Sequence, residues 1–314
     1  MNFLENKVTE FIMLVGLPAS GKSYLAEKFL ELDYHIHSSD AIREELSGDV
    51  NNQDINQKVF TTLHNRVKED LKNGISCVYD ATNISYERRK AFLNEIKNID
   101  CYKKCFVIAT PFEVCIKQNE NRERKVPYEV IERMYRNFDI PIMNEGWDEI
   151  FLQYNDHKYK TLYDSWAKFL YDVMDFDQEN PHHTATLGEH CRLCGDNAYE
   201  KSKNISDRRW ELHIAGALHD CGKPFCKTFI NGKGEQDDKA HYFDHPNVGA
   251  YNSLFYDIWD DNTDTRLYIS QLIRWHMQLY FINNEKTLNK YKNIWGENFY
   301  RDLVILHEAD KLAH

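Results

Sequence analysis

The segment Gly16-Leu17-Pro18-Ala19-Ser20-Gly21-Lys22-Ser23 constrains this chain more than any other stretch. It follows an apolar run, Phe11-Ile12-Met13-Leu14-Val15, that is too short for a helix and is closed by a glycine, as a buried parallel strand is. From Lys22 to Leu32 the pattern turns helical. Strand, G-x-x-x-x-G-K-[ST] turn and helix in that order make a phosphate cradle, the P-loop, whose backbone N–H groups wrap a β-phosphate at a helix N-terminus. Gly16, Ser20 and Gly21 belong to the loop, Lys22 reaches the β- and γ-phosphates, and Ser23 ligates Mg²⁺. The ligand this predicts is ATP or another NTP.

Strand and helix keep alternating through the first half. Tyr34–His37 reads as a strand, 53–73 as a helix, Ser76–Tyr79 as a strand, Ser85–Lys97 as a helix, Lys104–Ala109 as a strand and Phe112–Asn121 as a helix. That alternation predicts an α/β domain, a parallel sheet with helices on both faces. From about 160 onward it gives way to helical segments at 161–175, 188–202, 208–220, 246–257, 264–280 and 299–313, an all-α second half. The boundary falls near 155–165, dividing the chain into 1–158 and 159–314.

The formal charge of −11 is spread evenly, with 20 basic against 25 acidic residues in 1–150 and 19 against 25 in 151–314. Neither half is a basic module for holding long nucleic acid by its backbone, although contact with a short terminus is compatible with this balance. No apolar stretch reaches membrane-spanning length and Met1–Lys7 lacks a signal-peptide core, so a cytoplasmic location is expected. The eight cysteines, four in each half, then read as reduced thiols.

In a doubly wound sheet the carboxyl ends of neighbouring strands open on one crevice. Asp40, in Ser38-Ser39-Asp40-Ala41-Ile42-Arg43, is therefore expected beside the γ-phosphate, where a carboxylate can take the proton of an attacking hydroxyl. An N-cap role for Asp40 is compatible with that chemistry. Arg43, one turn on, faces the same crevice and can hold an anionic group of the acceptor. Asp80, closing the third strand in Asp80-Ala81-Thr82-Asn83, takes the place of a Walker B carboxylate, near the metal or ordering Arg43. Arg88, Arg89 and Lys90 form either a solvated helix face or a substrate contact. Arg122 and Arg124, in Arg122-Glu123-Arg124-Lys125-Val126-Pro127, can close as a lid over a transferring phosphate; a plain surface turn is the other reading.

Together these residues resemble the kinase domain of the polynucleotide 5′-hydroxyl kinases over about residues 10–145. The resemblance implies Asp40 as general base, Arg43 on the acceptor's phosphate, and Arg122 and Arg124 on the donor phosphates. One departure is Gln118-Asn119 where the family's lid has Arg-Asn. Relatives that phosphorylate small molecules share much of the pattern.

The second half spaces out His190, the doublet His219-Asp220, His245, His276 and Asp310. A His-Asp doublet ending an apolar helix sets two metal-ligand side chains side by side, which suits a carboxylate that must bridge two ions. The pattern resembles the HD-domain phosphohydrolases over about 165–314, and His219-Asp220-Cys221-Gly222-Lys223 matches their HD-x-G-K variant. The resemblance implies that His190, His219, Asp220 and Asp310 hold one metal. His245 and His276 hold a second, bridged by Asp220, and Lys223 neutralises the substrate phosphate. Imidazole and carboxylate suit Mn, Fe, Co, Ni or Zn. His241 competes with His245, and His182 and His183 are candidates for substrate contact. Cys191, Cys194, Cys221 and Cys226 can also be drawn as a zinc site, with helix packing the preferred reading.

A kinase and a phosphohydrolase on one chain are futile on one position but productive on two. Kinases paired with HD domains in end-healing proteins phosphorylate a 5′-hydroxyl and clear a 2′,3′-cyclic or 3′ phosphate, so that a separate ligase can join the ends. This chain resembles such proteins with the domains in reversed order, acting on nucleic acid and on RNA first of all. The D-x-D-G-T phosphatase motif of the phage-type enzyme is not found. Two rivals stand beside this expectation: a nucleoside or sugar kinase fused to a nucleotide phosphohydrolase, and an NTP-gated HD effector.

Overall fold

The computed structural model describes residues 8–181 and 185–313; the Met1–Lys7 segment and the His182-His183 pair, with the readings placed on them, lie outside the described residues. The chain divides into two compact units that interleave in sequence. One holds the residues up to Val126 with Glu145–Asn155, the other Pro127–Asn144 with the residues from Asp156 on.

In the first unit the apolar run becomes β1 (Glu10–Val15), buried from Phe11 to Val15. It is followed by α1 (Lys22–Leu30), β2 (His35–Ser38), α2 (Ser39–Ser47), α3 (Asn56–Lys72), β3 (Cys77–Asp80), α4 (Tyr86–Glu95), β4 (Tyr102–Ala109), α5 (Phe112–Glu120) and β5 (Glu149–Tyr154). All five strands run parallel in the order β2-β3-β1-β4-β5. With β1 central, the loop that follows it opens between the carboxyl ends of β3 and β4, where open α/β sheets place their ligands. β5 is not anticipated from the sequence: it is an edge strand in which exposed Phe151 and Gln153 alternate with buried Leu152 and Tyr154, unlike the continuous apolar run of β1.

The second unit contains α6 (Tyr128–Arg136), α7 (Trp166–Asp172), α8 (Leu187–Lys201), α9 (Arg209–Leu218), α10 (Lys223–Cys226), β6 (Thr228–Ile230), β7 (Gln236–His241), α11 (His245–Ser253), α12 (Thr263–Trp275), α13 (Glu285–Trp295) and α14 (Glu297–Leu312). The expectation of an all-helical second half is corrected by the antiparallel hairpin β6–β7. Its turn is built by Asn231, whose side chain accepts from the Lys233 and Glu235 amides, and by Gly234 at φ 82°. The helix expected over 264–280 ends at Trp275, and α13 is an addition. Helix α6 joins this unit through side-chain bonds: the Tyr135 hydroxyl donates to Asn252 on α11 (2.7 Å), and Arg274 on α12 donates to Asp139 (2.7 Å).

Candidate functional sites

In the first unit Gly21 is the N-cap of α1 with φ 97°, a left-handed conformation open to glycine. A Cβ added there would lie 2.9 Å from the Asn155 side chain, and one on Gly16 would lie 2.7 Å from Ser20 Oγ. The glycines are thus required by conformation and by space. Lys22 is folded onto its own loop, its Nζ donating to the Leu17 carbonyl (2.6 Å) and to Ser20 Oγ (3.4 Å). Thr110, at the end of β4, ties the loop down by donating to the Ser20 carbonyl (2.8 Å). Ser23 Oγ donates to Asp80 Oδ2 (3.3 Å) from the neighbouring strand end. Burial lowers the Lys22 pKa while Asp80 opposes it; burial likewise raises Asp80 against the pull of Lys22. Buried Lys22 and Asp80 with exposed Ser23 between them, held at one strand end, can receive a nucleotide phosphate and its cation.

Asp40 lies in the first turn of α2 and forms an ion pair with Arg124 of the lid segment. Arg124 Nε also reaches Asn51 Oδ1 (3.2 Å), whereas Arg122 is exposed. The lid's lower end is fixed by Asn119, whose amide pairs both ways with the Val126 backbone (2.8 and 2.9 Å). Arg43 is buried and donates to the Asn52 carbonyl (3.1 Å) and Asn56 Oδ1 (2.7 Å), while its Nε is buried without a hydrogen-bond partner among the described residues. The suggestion that Asp80 orders Arg43 is corrected: Asp80 takes Ser23, and asparagines hold Arg43. The Arg88-Arg89-Lys90 reading holds for Arg88, which is exposed, but is corrected for the other two: Lys90 donates to the Glu145 carbonyl (2.9 Å) and Arg89 turns inward. Arg89 is buried in a bidentate pair with Glu145 (2.8 and 2.7 Å), to which Trp147 Nε1 adds a third donor. That is scaffold, and neither a solvated face nor a substrate contact.

In the second unit, four imidazoles and two carboxylates converge. His190 and His219 approach Nε2 to Nε2 at 3.0 Å, and His245 and His276 at 3.3 Å. Every Nδ1 faces a backbone carbonyl: Ala313 for His190 (3.2 Å), Gly216 for His219, Tyr242 for His245 and Ile273 for His276 (2.7 Å each). Since a carbonyl only accepts, Nδ1 carries the proton and each Nε2 lone pair is left for a cation. Asp220 divides its oxygens between the pairs. Oδ2 lies 3.5 Å from His190 and 3.3 Å from His219, and Oδ1 lies 3.2 Å from His245 and 3.7 Å from His276. Asp310 joins the first pair at 3.2 and 3.5 Å. Two groups that could each hold a metal ion result, His190–His219–Asp310 and Asp220–His245–His276.

Lys223 Nζ donates to Asp220 Oδ2 (2.7 Å) and to Gln178 Oε1 (2.7 Å), and the Tyr280 hydroxyl donates to Asp310 (3.0 Å). Gln178 and Tyr280 are not picked out by the sequence, since neither belongs to a motif. Burial disfavours charge on His219, yet Asp220 and Asp310 outweigh it and hold its pKa well above the ordinary value, so that a cation on its Nε2 has to displace a proton; burial depresses His276 to about 4. Asp220 stays well below the carboxylate range because Lys223 and the histidines overcome its burial. His241 is elsewhere, on β7, paired with Asp237 (2.8 Å) and stacked on Phe243. The eight cysteines are free, buried and absent from both metal-ligand groups among the described residues.

Residues 11–141 match a family model described as an AAA domain, AAA_33. The L-seryl-tRNA(Sec) kinase of Methanococcus maripaludis is 32% identical over 143 residues, covering 44% of this chain and 55% of that protein. The bifunctional polynucleotide phosphatase/kinase of Schizosaccharomyces pombe is 23% identical over 157 residues, covering 48% of this chain and 34% of its own length. The chain thus spans about half of the first relative and about a third of the second. Among solved structures, a putative kinase from Chloroflexus aurantiacus aligns with 48% of this chain and 90% of its own at 15% identity and a TM-score of 0.42. The Pnkp1/Rnl/Hen1 RNA repair complex aligns with 40% and 43% at 20% identity and a TM-score of 0.35. Among the described residues no helix is long and apolar enough to cross a membrane. Residues 11–141 thus match the AAA_33 model, and about half of this chain is similar to a seryl-tRNA kinase and to a polynucleotide phosphatase/kinase.

Proposed function

We propose that this chain heals nucleic-acid ends, RNA foremost. In this reading residues 1–158 phosphorylate a 5′-hydroxyl from ATP, and residues 159–314, an HD-type phosphohydrolase domain, clear a 2′,3′-cyclic or 3′ phosphate. A separate ligase follows. The observation that carries the reading is the division of Asp220, one oxygen to each histidine pair, on a chain that already holds a P-loop kinase domain. Phosphate transfer and phosphate release on one chain make sense on two different ends.

In the kinase half, Asp40 takes the proton of the acceptor hydroxyl as its oxygen bonds to the γ-phosphorus and the bond to the ADP oxygen breaks. For that, Arg124 exchanges Asp40 for the donor phosphates, which makes their ion pair the resting state of the lid. Arg122 joins it there, and Arg43 receives the acceptor's phosphate. Ser23, with Asp80 behind it, would hold Mg²⁺, which would offset the negative charge of the donor phosphates.

In the second half, the backbone carbonyls fix the imidazole tautomers, Asp220 and Asp310 complete the donor set, and Lys223 offsets the charge of the arriving phosphate. Mn, Fe, Co, Ni or Zn, when bound, supply Lewis acidity toward the phosphate oxygens. The acidic balance of −11 favours a second reading, a small-molecule kinase fused to a nucleotide phosphohydrolase. Labelled γ-phosphate decides between them: it passes from ATP to a 5′-hydroxyl oligonucleotide in the first reading and to a nucleoside or sugar in the second.

A further inference from the structure

We propose that the second unit carries a strand-binding strip beside the histidine–aspartate site, formed by Tyr280, Phe281, Lys286, Lys290, Lys292 and Tyr300. It takes the unpaired nucleotides that lead to a phosphorylated nucleic-acid end. This rests on the end-healing reading and narrows its substrate to a strand, as opposed to a free nucleotide.

The first ground is charge. From Arg274 to Arg301 the sequence has five basic residues and two acidic ones, inside a chain of net charge −11. Arg274 and Arg301 are engaged by Asp139 and Asp302. Among the described residues Lys286, Lys290 and Lys292 meet no carboxylate within ion-pair distance, and Lys286 and Lys290 are exposed. These two are spaced i,i+4 on α13 and share one face. Three lysines without carboxylates, in so acidic a protein, are complementary to a polyanion.

The second ground is the aromatic surface between the cations. Lys290 Nζ lies 5.6 Å from the Tyr291 ring centre and Lys292 Nζ lies 4.4 Å from that of Tyr300. Buried Trp295 holds this surface from behind, with stacked ring centres 5.1 Å from Tyr291 and 6.2 Å from Tyr300. Phe281 is 68% exposed, a large cost for a ring with nothing to cover it. Exposed Phe281 and half-buried Tyr291 and Tyr300 beside the lysines offer ring faces and charge to unstacked bases and their phosphates, whereas a paired duplex hides its base faces.

The third ground is continuity with the site. The Tyr280 hydroxyl donates to Asp310 Oδ2 at 3.0 Å while the residue is 41% exposed, so its side chain runs from a proposed metal ligand out to solvent. Phe281 is next in sequence. Lys286 follows five residues later, within about 18 Å of chain, a span suited to a few nucleotides.

The test uses the full chain and two surface variants, Phe281→Ala and the double variant Lys286→Glu/Lys290→Glu. Fluorescence anisotropy with a short labelled single-stranded RNA should show binding about tenfold weaker for Phe281→Ala, and a shallower salt dependence for the double variant. Metal-dependent phosphate release should show KM raised about tenfold on an oligonucleotide with a 2′,3′-cyclic end, with turnover of a 2′,3′-cyclic mononucleotide unchanged. Wild-type protein that does not bind the RNA, variants that bind it as wild type does, or equal losses on both substrates would each overturn the strip. Failure of the end-healing reading looks different: wild-type protein then releases phosphate from neither substrate, while the binding comparison still decides the strip.

Discussion

At the scale of single residues, Asp40 and Arg124 form an ion pair, which the proposed phosphate transfer parts. Asp40→Asn keeps the size of the side chain and removes its basicity. Phosphate transfer to a 5′-hydroxyl oligonucleotide should fall about 10²- to 10⁴-fold, with ATP affinity by calorimetry unchanged; near-normal turnover would remove Asp40 as base. Anchoring favours His245 over His241 as the proposed ligand. His245 has Nδ1 on the Tyr242 carbonyl and Nε2 toward Asp220, whereas His241 serves Asp237 on the hairpin. His245→Ala should lower bound transition metal in the purified protein, measured by elemental analysis, and His241→Ala should not. Residues of a contiguous motif, from Gly16 to Ser23, were legible in the sequence because the chain itself sets their distances. Arg89 was not, since its partner Glu145 lies 56 residues away and neither belongs to a motif.

At the scale of elements, glycines set how closely the helices of the histidine–aspartate cluster approach. A Cβ on Gly216 of α9 would lie 2.8 Å from the Gly195 Cα of α8, and these helices carry His190 and, at the end of α9, His219. A Cβ on Gly222 would lie 2.2 Å from the His245 carbonyl oxygen, which gives the glycine of the H-D-C-G-K run a steric reason. Gly216→Ala should destabilise the protein by about 1–3 kcal/mol and reduce its metal content together, read by thermal melting and elemental analysis; a neutral result would mean that the helices part freely. In the first unit, Glu145→Ala strands the Arg89 charge in the interior and should cost about 3–5 kcal/mol, read by denaturant unfolding, with a loss well under 1 kcal/mol counting against it. The central strand β1 and the long helices announced themselves through unbroken apolar runs and 3.6-residue periodicity. Edge strand β5 and hairpin β6–β7 did not, because they are short and half polar, so no period stands out from the loops around them.

At the scale of the whole molecule, sequence order and packing unit differ. The Pro127–Asn144 stretch, which directly follows the lid segment, packs with the helical unit. Local pattern cannot show this, because it depends on which distant helix receives Tyr135 and Asp139. The first half was legible as an ordered set of motifs, and residues 11–141 match the AAA_33 model. The paired chemistry of the two sites is the central claim, and one experiment with two variants tests it. An RNA with a 2′,3′-cyclic end and one with a 5′-hydroxyl are each offered, with labelled ATP and a divalent transition metal, to Lys22→Ala and Asp220→Ala. Lys22→Ala should lose 5′ labelling and keep phosphate release. Asp220→Ala, missing the carboxylate that both histidine pairs share, should lose phosphate release by orders of magnitude and keep 5′ labelling. Loss of phosphate release in a folded Lys22→Ala protein would contradict two independent end-healing sites.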